Sequence, residues 1–369
     1  MPDSPKGDRV EVHPPSLPRV VYRLSRRGRF AHPWQDRCRP PARWVARGHP
    51  AAVTVMANHT TPPETPTIGI VGTGVVGSRV AMNLSSAGIA SKIVSAKSAT
   101  ELFNCAVVVL AQGGPHTPLA SAFVAEGVSV VSVSDNLEDV LSIIDVQERA
   151  VANDVVVIAG AACSPGLSGL LVSHVTRAFE SIDEVHTAVH GTGGPMCARQ
   201  HHESLRGLSV GWHDGNWLQR PAGSGRELCW FPDPVGAKDC YRFASPEPVL
   251  LQRINPDLQR ITSRVSATRR DRFTAPFPMI TPPHAEGGLG GLRVEVRGVR
   301  DGRRHVEIVG VAERVATVAG AVAASTARAL TSTTVPPGVY NLGQDLLPNA
   351  DILDNALSYG VTLHQFIGK

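Results

Sequence analysis

The rhythm of apolar and polar positions changes along the chain, and the change divides it. From Thr67 to about residue 180, short apolar runs alternate with stretches whose apolar residues recur at three- and four-residue spacing. Ile68, Ile70 and Val71 read as a strand, as do Ser91–Ser95, Ala106–Leu110, Val128–Val133 and Val155–Ala159. Ser78–Ala87, with Val80, Ala81 and Leu84 at helical spacing, reads as a helix, followed by Thr117–Glu126, Leu137–Ala150 and Leu167–Ala178. Strands alternating with helices predict an α/β domain built on a doubly wound parallel sheet with helices on both faces. One α–β unit is shortened. Between the strands at Ser91–Ser95 and Ala106–Leu110 only Thr100–Asn104 is left over, room for about one helical turn.

The texture changes near Ile182. Val185–Val189 alternates as a strand, and glycines, prolines and tryptophans follow. Val249–Asn255 reads as a short helix. Leu292–Val299 and Arg303–Val309, joined by Arg300-Asp-Gly302, read as a hairpin, because Asp-Gly suits a tight two-residue turn. Residues 181–310 are therefore expected to form a second, strand-rich α+β domain. Ala312–Leu330 is an Ala-rich helix ended by Pro336-Pro-Gly338, and residues 339–369 a partly helical tail. The segment 311–369 is expected to pack back on residues 67–180.

The first strand runs directly into Gly72-Thr-Gly-Val-Val-Gly77 and then into a helix. A strand, G-x-G-x-x-G and a helix form the dinucleotide fingerprint of a Rossmann-type domain. Gly72 permits the tight turn, Gly74 admits a pyrophosphate, and Gly77 lets the helix sit close to the strand. Gly72, Thr73, Gly74, Val75, Val76 and Gly77 are thus the first candidate cofactor contacts. Such sheets bind ligands beyond the carboxyl ends of their strands. That rule gathers Gly72–Gly77, Gln112–His116, Ser134–Asn136 and Cys163–Gly166 around one crevice, and adds Ala111, Gln112 and Gly113 to the cofactor set. An acidic residue on the adenosine ribose is expected roughly 20 residues past the fingerprint. The tip of the second strand instead reads Ser95-Ala96-Lys97-Ser98. Ser95, Lys97 and Ser98 suit a 2′-phosphate, which favours NADP, with NAD as the other choice.

Composition narrows the class. The 369 residues are 42% hydrophobic and 18% charged, ordinary values for a globular protein. Six cysteines are scattered without a C-x-x-C pair, which suits free thiols in a reducing cytosol. No apolar run is long enough to span a bilayer. The net charge of +4 is uneven: residues 1–50 hold eleven Lys/Arg against four Asp/Glu, leaving 25 against 28 in the remainder. The body therefore shows no nucleic-acid surface. Residues 1–66, rich in Pro and Arg, are expected to be a disordered extension, with Met56 placed shortly before the first strand as a natural start would be.

The order of these motifs resembles the saccharopine dehydrogenase-like family. The residues that carry the resemblance are Gly72-Thr-Gly-Val-Val-Gly77, Val108-Val-Leu-Ala with Gly114-Pro115, and Ser134-Asp135. Ala159-Gly-Ala-Ala-Cys-Ser-Pro-Gly-Leu-Ser168, Trp230-Phe-Pro-Asp-Pro-Val-Gly236 with Tyr241, and Pro337-Gly-Val339 continue it, over about residues 67–340. The resemblance implies a nicotinamide-binding domain, a substrate domain often used for homodimer formation, and redox chemistry on an amine, imine or carbonyl of a small amino-acid-like substrate. The sequence lacks the family's charged second-strand tip and a saccharopine-type catalytic pair placed by motif.

Candidate chemistry concentrates in Gly193-Gly-Pro-Met-Cys-Ala-Arg-Gln-His-His-Glu203. Arg199 is a candidate clamp for a substrate carboxylate. His201 and His202 are candidates for taking the proton released when an amine becomes an imine. The C-x3-H-H spacing is not that of a structural zinc site, and adjacent histidines do not share a helix face, so no metal is assigned. The competing reading is a non-catalytic dinucleotide sensor or scaffold that keeps the fold, which the shortened adenosine side would favour.

Overall fold

The computed structural model describes residues 43–46, 68–279 and 282–367. The expectation for residues 1–66 lies outside the described residues, except at Arg43–Ala46 (β1), which forms a strand. The first domain begins with Ile68–Val71 (β2), Val75–Ser86 (α1), Ser91–Val94 (β3), Val107–Leu110 (β4), Thr117–Ala125 (α2) and Ser129–Ser132 (β5). Leu137–Ile144 (α3), Gln147–Ala152 (α4), Val156–Ile158 (β6) and Leu167–Thr176 (α5) complete its N-terminal part. A 3₁₀ turn at Ala96–Leu102 is all that lies between β3 and β4, so the shortened unit is present. The single helix expected over Leu137–Ala150 is two, because the chain breaks at Asp145 and Val146, where Val146 is fully buried.

The second domain comprises Ser181–His190 (β7), Pro195–Ser204 (α6), Leu208–His213 (β8), Asn216–Pro221 (β9), Glu227–Trp230 (β10) and Ala237–Tyr241 (β11). Glu247–Ile254 (α7), Arg260–Ser266 (β12), Arg269–Thr274 (α8), Leu289–Arg300 (β13) and Arg303–Arg314 (β14) follow. The chain ends with Val315–Ser332 (α9), Gly338–Tyr340 (β15), Asn349–Ser358 (α10) and His364–Ile367 (β16).

The first sheet has six parallel strands in the order β15-β6-β5-β4-β2-β3. The inner strands β2, β4 and β6 are buried along their whole length because both faces are covered. Val107 and Val109 enter one core with Ile68, Ile70 and the α9 residues Val318 and Val322. Val108 and Leu110 enter the opposite core with Phe123, Val140 and Leu102. The two-residue period of the strand makes this division. β15, contributed from beyond α9, is an element that the sequence pattern did not disclose: it is only three residues long.

α9 explains its own composition. It is buried along most of its length. A Cβ at Gly320 would lie 2.4 Å from Cβ of Arg79, so α1 and α9 approach at backbone distance. Small residues permit that contact, and a helix enclosed on several sides needs no polar face.

The second sheet is mixed. Its main path is β1-β16-β14-β13-β7-β12-β11-β10, with β7 and β12 parallel and β8 pairing both β12 and β9. The β13–β14 hairpin is longer than its sequence pattern, and Asp301 and Gly302 both have positive φ, as its two-residue turn requires. A second hairpin, β8–β9, uses Asp214 and Gly215 in the same way. The same Asp-Gly signal stands there in the sequence, and the pattern reading overlooked it.

Candidate active site

β3 and β4 lie on opposite sides of β2, which makes the ends of β2 and β4 the switch point of the sheet. Two loops open there. The N–H of Gly72 donates to the carbonyl of Val94 (2.8 Å), and the N–H of Ala111 donates to that of Val71 (2.8 Å). Gly72 has φ of +120°, and a Cβ on it would lie 2.6 Å from the backbone of Ala111. A Cβ on Gly77 would lie 1.8 Å from the Gly72 carbonyl oxygen. A Cβ on Gly74 would meet nothing within 4 Å. Two glycines are thus enforced by packing, whereas the third faces open space.

Gly74 is the N-cap of α1, with no side-chain cap and no acidic residue in the first turn. The first-turn N–H groups of a helix have no intrahelical acceptor, and together with the helix dipole they favour an anion. Val75 and Val76 belong to this turn and, with Thr73, line a crevice of about 580 Å³. Ala111, Gln112 and Gly113 line it from the β4 side. The side-chain amide of Gln112 is buried there without a hydrogen-bond partner among the described residues.

The crevice reaches Ser95 and Ala96 at the tip of β3. Lys97 and Ser98 follow in the 3₁₀ turn, Lys97 exposed and neither of them in the lining. The carboxylate of Glu101, also in that turn, pairs with Lys92 at 2.7 Å, and this hydrogen bond and charge lower its pKa.

The opposite wall is α6, a helix that the sequence pattern did not reveal. Gly194 at φ +137° precedes it and Pro195 occupies its first turn, the position proline favours. The helix places Cys197 and His201 one turn apart on one face. Both line the crevice, as do Gln200 and Asp135, the latter from the loop after β5. His201 Nε2 lies 3.1 Å from Asp135 Oδ2 and 3.7 Å from Cys197 Sγ. Cys197 Sγ is also 3.7 Å from Asp135 Oδ2, and Gln200 Nε2 donates to Asp135 Oδ1. Burial opposes charge on His201, but the adjoining thiol and carboxylate outweigh it and raise its pKa well above the usual value.

The three residues singled out for chemistry therefore separate. His201 is in the crevice. Arg199 is exposed and lies against the sulfur of Met196 at 3.4 Å. His202 is buried on the far side of α6, with Nε2 3.0 Å from Thr274 Oγ1, and lines a neighbouring cavity of about 790 Å³. That cavity also receives His190, Lys238 and Arg269, and His201 borders both spaces.

Buried polar groups fix the crevice loops. His116 is 2% exposed, with Nδ1 2.8 Å from Ser132 Oγ and Nε2 2.9 Å from the Gln112 carbonyl. Burial lowers its pKa and keeps it neutral, so one ring nitrogen donates and the other accepts. The Asp139 carboxylate accepts from the N–H groups of His116 and Thr117 and from Thr117 Oγ1. Burial works to raise its pKa, but these bonds and one with Ser134 lower it overall. Ser164, in the turn after β6, donates to buried Glu247 at 2.5 Å.

The fold has known counterparts. Saccharopine dehydrogenase (L-Glu forming) from Saccharomyces cerevisiae is similar over 82% of this chain and 99% of its own, with a TM-score of 0.58 and 12% identity. The two chains share a fold. Diaminopimelate dehydrogenase from Corynebacterium glutamicum (TM-score 0.45, 12% identity) covers 80% of this chain and 99% of its own. Amine dehydrogenase from Mycobacterium smegmatis (TM-score 0.44, 14% identity) covers 77% and 97%. No protein-family model matches the sequence, and no curated protein matches it. Among the described residues no helix is long and apolar enough to cross a membrane.

Proposed function

We propose that this chain is an NADPH-preferring oxidoreductase acting on an imine, amine or carbonyl carbon of a small amino-acid-like substrate. The observation that carries the reading is the continuity of one crevice. Its first wall is the open fingerprint loop around Gly74, and its second is the polar cluster of Asp135, Cys197, Gln200 and His201. The residues present fit a nicotinamide dinucleotide. The backbone of Gly72–Gly77 would hold the pyrophosphate, Ser95 with Lys97 and Ser98 the adenosine end, and Ala111–Gly113 the nicotinamide half. The bound cofactor would supply hydride chemistry.

The chain's own part is orientation and proton handling. His201 Nε2, between a thiol and a carboxylate, holds a proton beside the crevice. α6 borders the crevice at Gly113, where an added Cβ would strike Met196 at 2.8 Å. The adjoining cavity, with Lys238 and Arg269, offers cations to a substrate carboxylate. A homodimer formed through the second sheet completes the proposal.

The test is titration with NADPH and NADH, followed by NADPH consumption against keto acids with and without amines. Binding with no turnover on any substrate would favour the sensor reading. If neither nucleotide binds at millimolar concentration, the proposal is removed.

A further inference from the structure

The cluster of Asp135, Cys197 and His201 has more donor capacity than hydrogen bonds use. A single nitrogen, His201 Nε2, faces both Cys197 Sγ at 3.7 Å and Asp135 Oδ2 at 3.1 Å. One proton there serves one of the two well. The third edge of the triangle, Cys197 Sγ to Asp135 Oδ2, is 3.7 Å. Zinc binds sulfur at about 2.3 Å and nitrogen or oxygen at about 2.0–2.2 Å, and tetrahedral angles then set such donors roughly 3.3–3.6 Å apart. The three side chains thus already stand close to one face of a zinc tetrahedron. One thiolate, one imidazole and one carboxylate form a mixed donor set suited to this ion.

We propose that Asp135, Cys197 and His201 bind a zinc ion whose fourth coordination position opens into the crevice. All three line that space, so the vacant position faces it. Three protein ligands with one open position are the arrangement of a catalytic zinc site. Zinc takes the places of the protons on His201 Nε2 and Cys197 Sγ, so binding releases protons and the proton-holding part of His201 belongs to the zinc-free protein. Gln200 acts as a positioning residue: its amide donates to Asp135 Oδ1 and leaves Oδ2 for the ion. Sequence spacing alone did not indicate this site. Cys197 and His201 supply two ligands from one helix face, and the third comes from a loop far away in the chain. The bound ion would polarise a substrate oxygen or hold a water in the crevice.

The experiment is independent of the nucleotide reading, since it uses zinc alone. Full-length protein, stripped with a chelator, is titrated with Zn²⁺ against a chromogenic competitor, and with Co²⁺ while absorbance is recorded. One ion should bind per chain, with a thiolate-to-cobalt charge-transfer band in the near ultraviolet. Cys197→Ser should abolish the band and Cys105→Ala should keep it. Gln200→Ala should weaken Zn²⁺ by roughly 10–100-fold, the range for loss of a second-layer partner. Failure of the parent to bind Zn²⁺ at micromolar concentration, or Co²⁺ bound without a thiolate band, would overturn the site.

Discussion

Substitution of Gly74 by valine separates binding from folding. Gly74 has φ −79° and ψ −168°, an extended conformation open to any residue. Its added side chain would enter the crevice, where nothing of the protein lies within 4 Å. The cost to stability is the poorer N-cap, about 0.5–1 kcal/mol. In a domain of this size that lowers the melting temperature by roughly 1–4 °C. The cost to binding is larger. A valine there displaces a pyrophosphate from the N–H groups of the first turn, and each charge-assisted hydrogen bond is worth about 1.5–3 kcal/mol. Losing two gives about 3–6 kcal/mol, or roughly 10²–10⁴-fold in Kd. Gly77→Ala behaves in the opposite way. Its Cβ would stand 1.8 Å from the Gly72 carbonyl oxygen, a backbone atom that cannot rotate aside. Overpacking of this kind costs about 1–3 kcal/mol, and the upper end applies where backbone must move. Calorimetric titration with NADPH and thermal melts of both variants read the two effects. Unchanged NADPH affinity in Gly74→Val, or a melting temperature as low as that of Gly77→Ala, would refute the assignment of the loop.

Four further outcomes are expected. NADPH should bind more tightly than NADH, and Lys97→Asp should narrow or reverse the ratio, with the effect at the low end because Lys97 is exposed; an unchanged ratio counts against the adenosine assignment. Asp139→Ala should cost about 2–4 kcal/mol at neutral pH by orphaning the His116 and Thr117 donors; because the Asp139 pKa is lowered in the fold, its stabilisation is present above the unfolded value and disappears as pH falls through the folded one, so urea melts of parent and variant should converge in acid. Glu247 has the reverse sign: burial raises its pKa, the hydrogen bond from Ser164 only partly offsets this, and stability falls as pH rises from the unfolded value through the folded one, so Glu247→Gln should gain on the parent as the pH of the melt increases. Light scattering should give a dimer, and a monomer at working concentration would remove the proposed association through the second sheet.

The legible parts of the fold are those whose signal is local. β2, β4 and β5 are short apolar runs, and α1 begins at a spacing of glycines of which Gly72 and Gly77 have a steric cause in the fold and Gly74 leaves room for a ligand. The β13–β14 turn was readable from Asp301-Gly302, and the β8–β9 turn carries the same dipeptide at Asp214-Gly215. The crevice was legible as well, because the rule that ligands sit beyond strand ends needs only the strand order. Elements with weak periodicity were not. β15 is three residues long, and the pattern gave no reason to return the chain to the first sheet after α9.

α6 is the instructive failure, because its polar residues hid it. Pro-Met-Cys-Ala-Arg-Gln-His-His-Glu-Ser has no apolar stripe, so the usual periodicity is missing. Its start signal was nevertheless present, with Pro195 in the first turn after Gly193-Gly194. Once the segment is helical, its chemistry sorts itself. Cys197 and His201 fall on one face, Arg199 turns to solvent, and His202 points to the other cavity. Adjacent histidines in sequence thereby acquire different surroundings. The remaining step is beyond any local pattern: Asp135 and His201 are 66 residues apart in sequence and meet only because the loop after β5 and the α6 wall close on the same crevice. The site is therefore a property of the junction between the two domains, and a residue's part in it follows from which face of α6 it occupies.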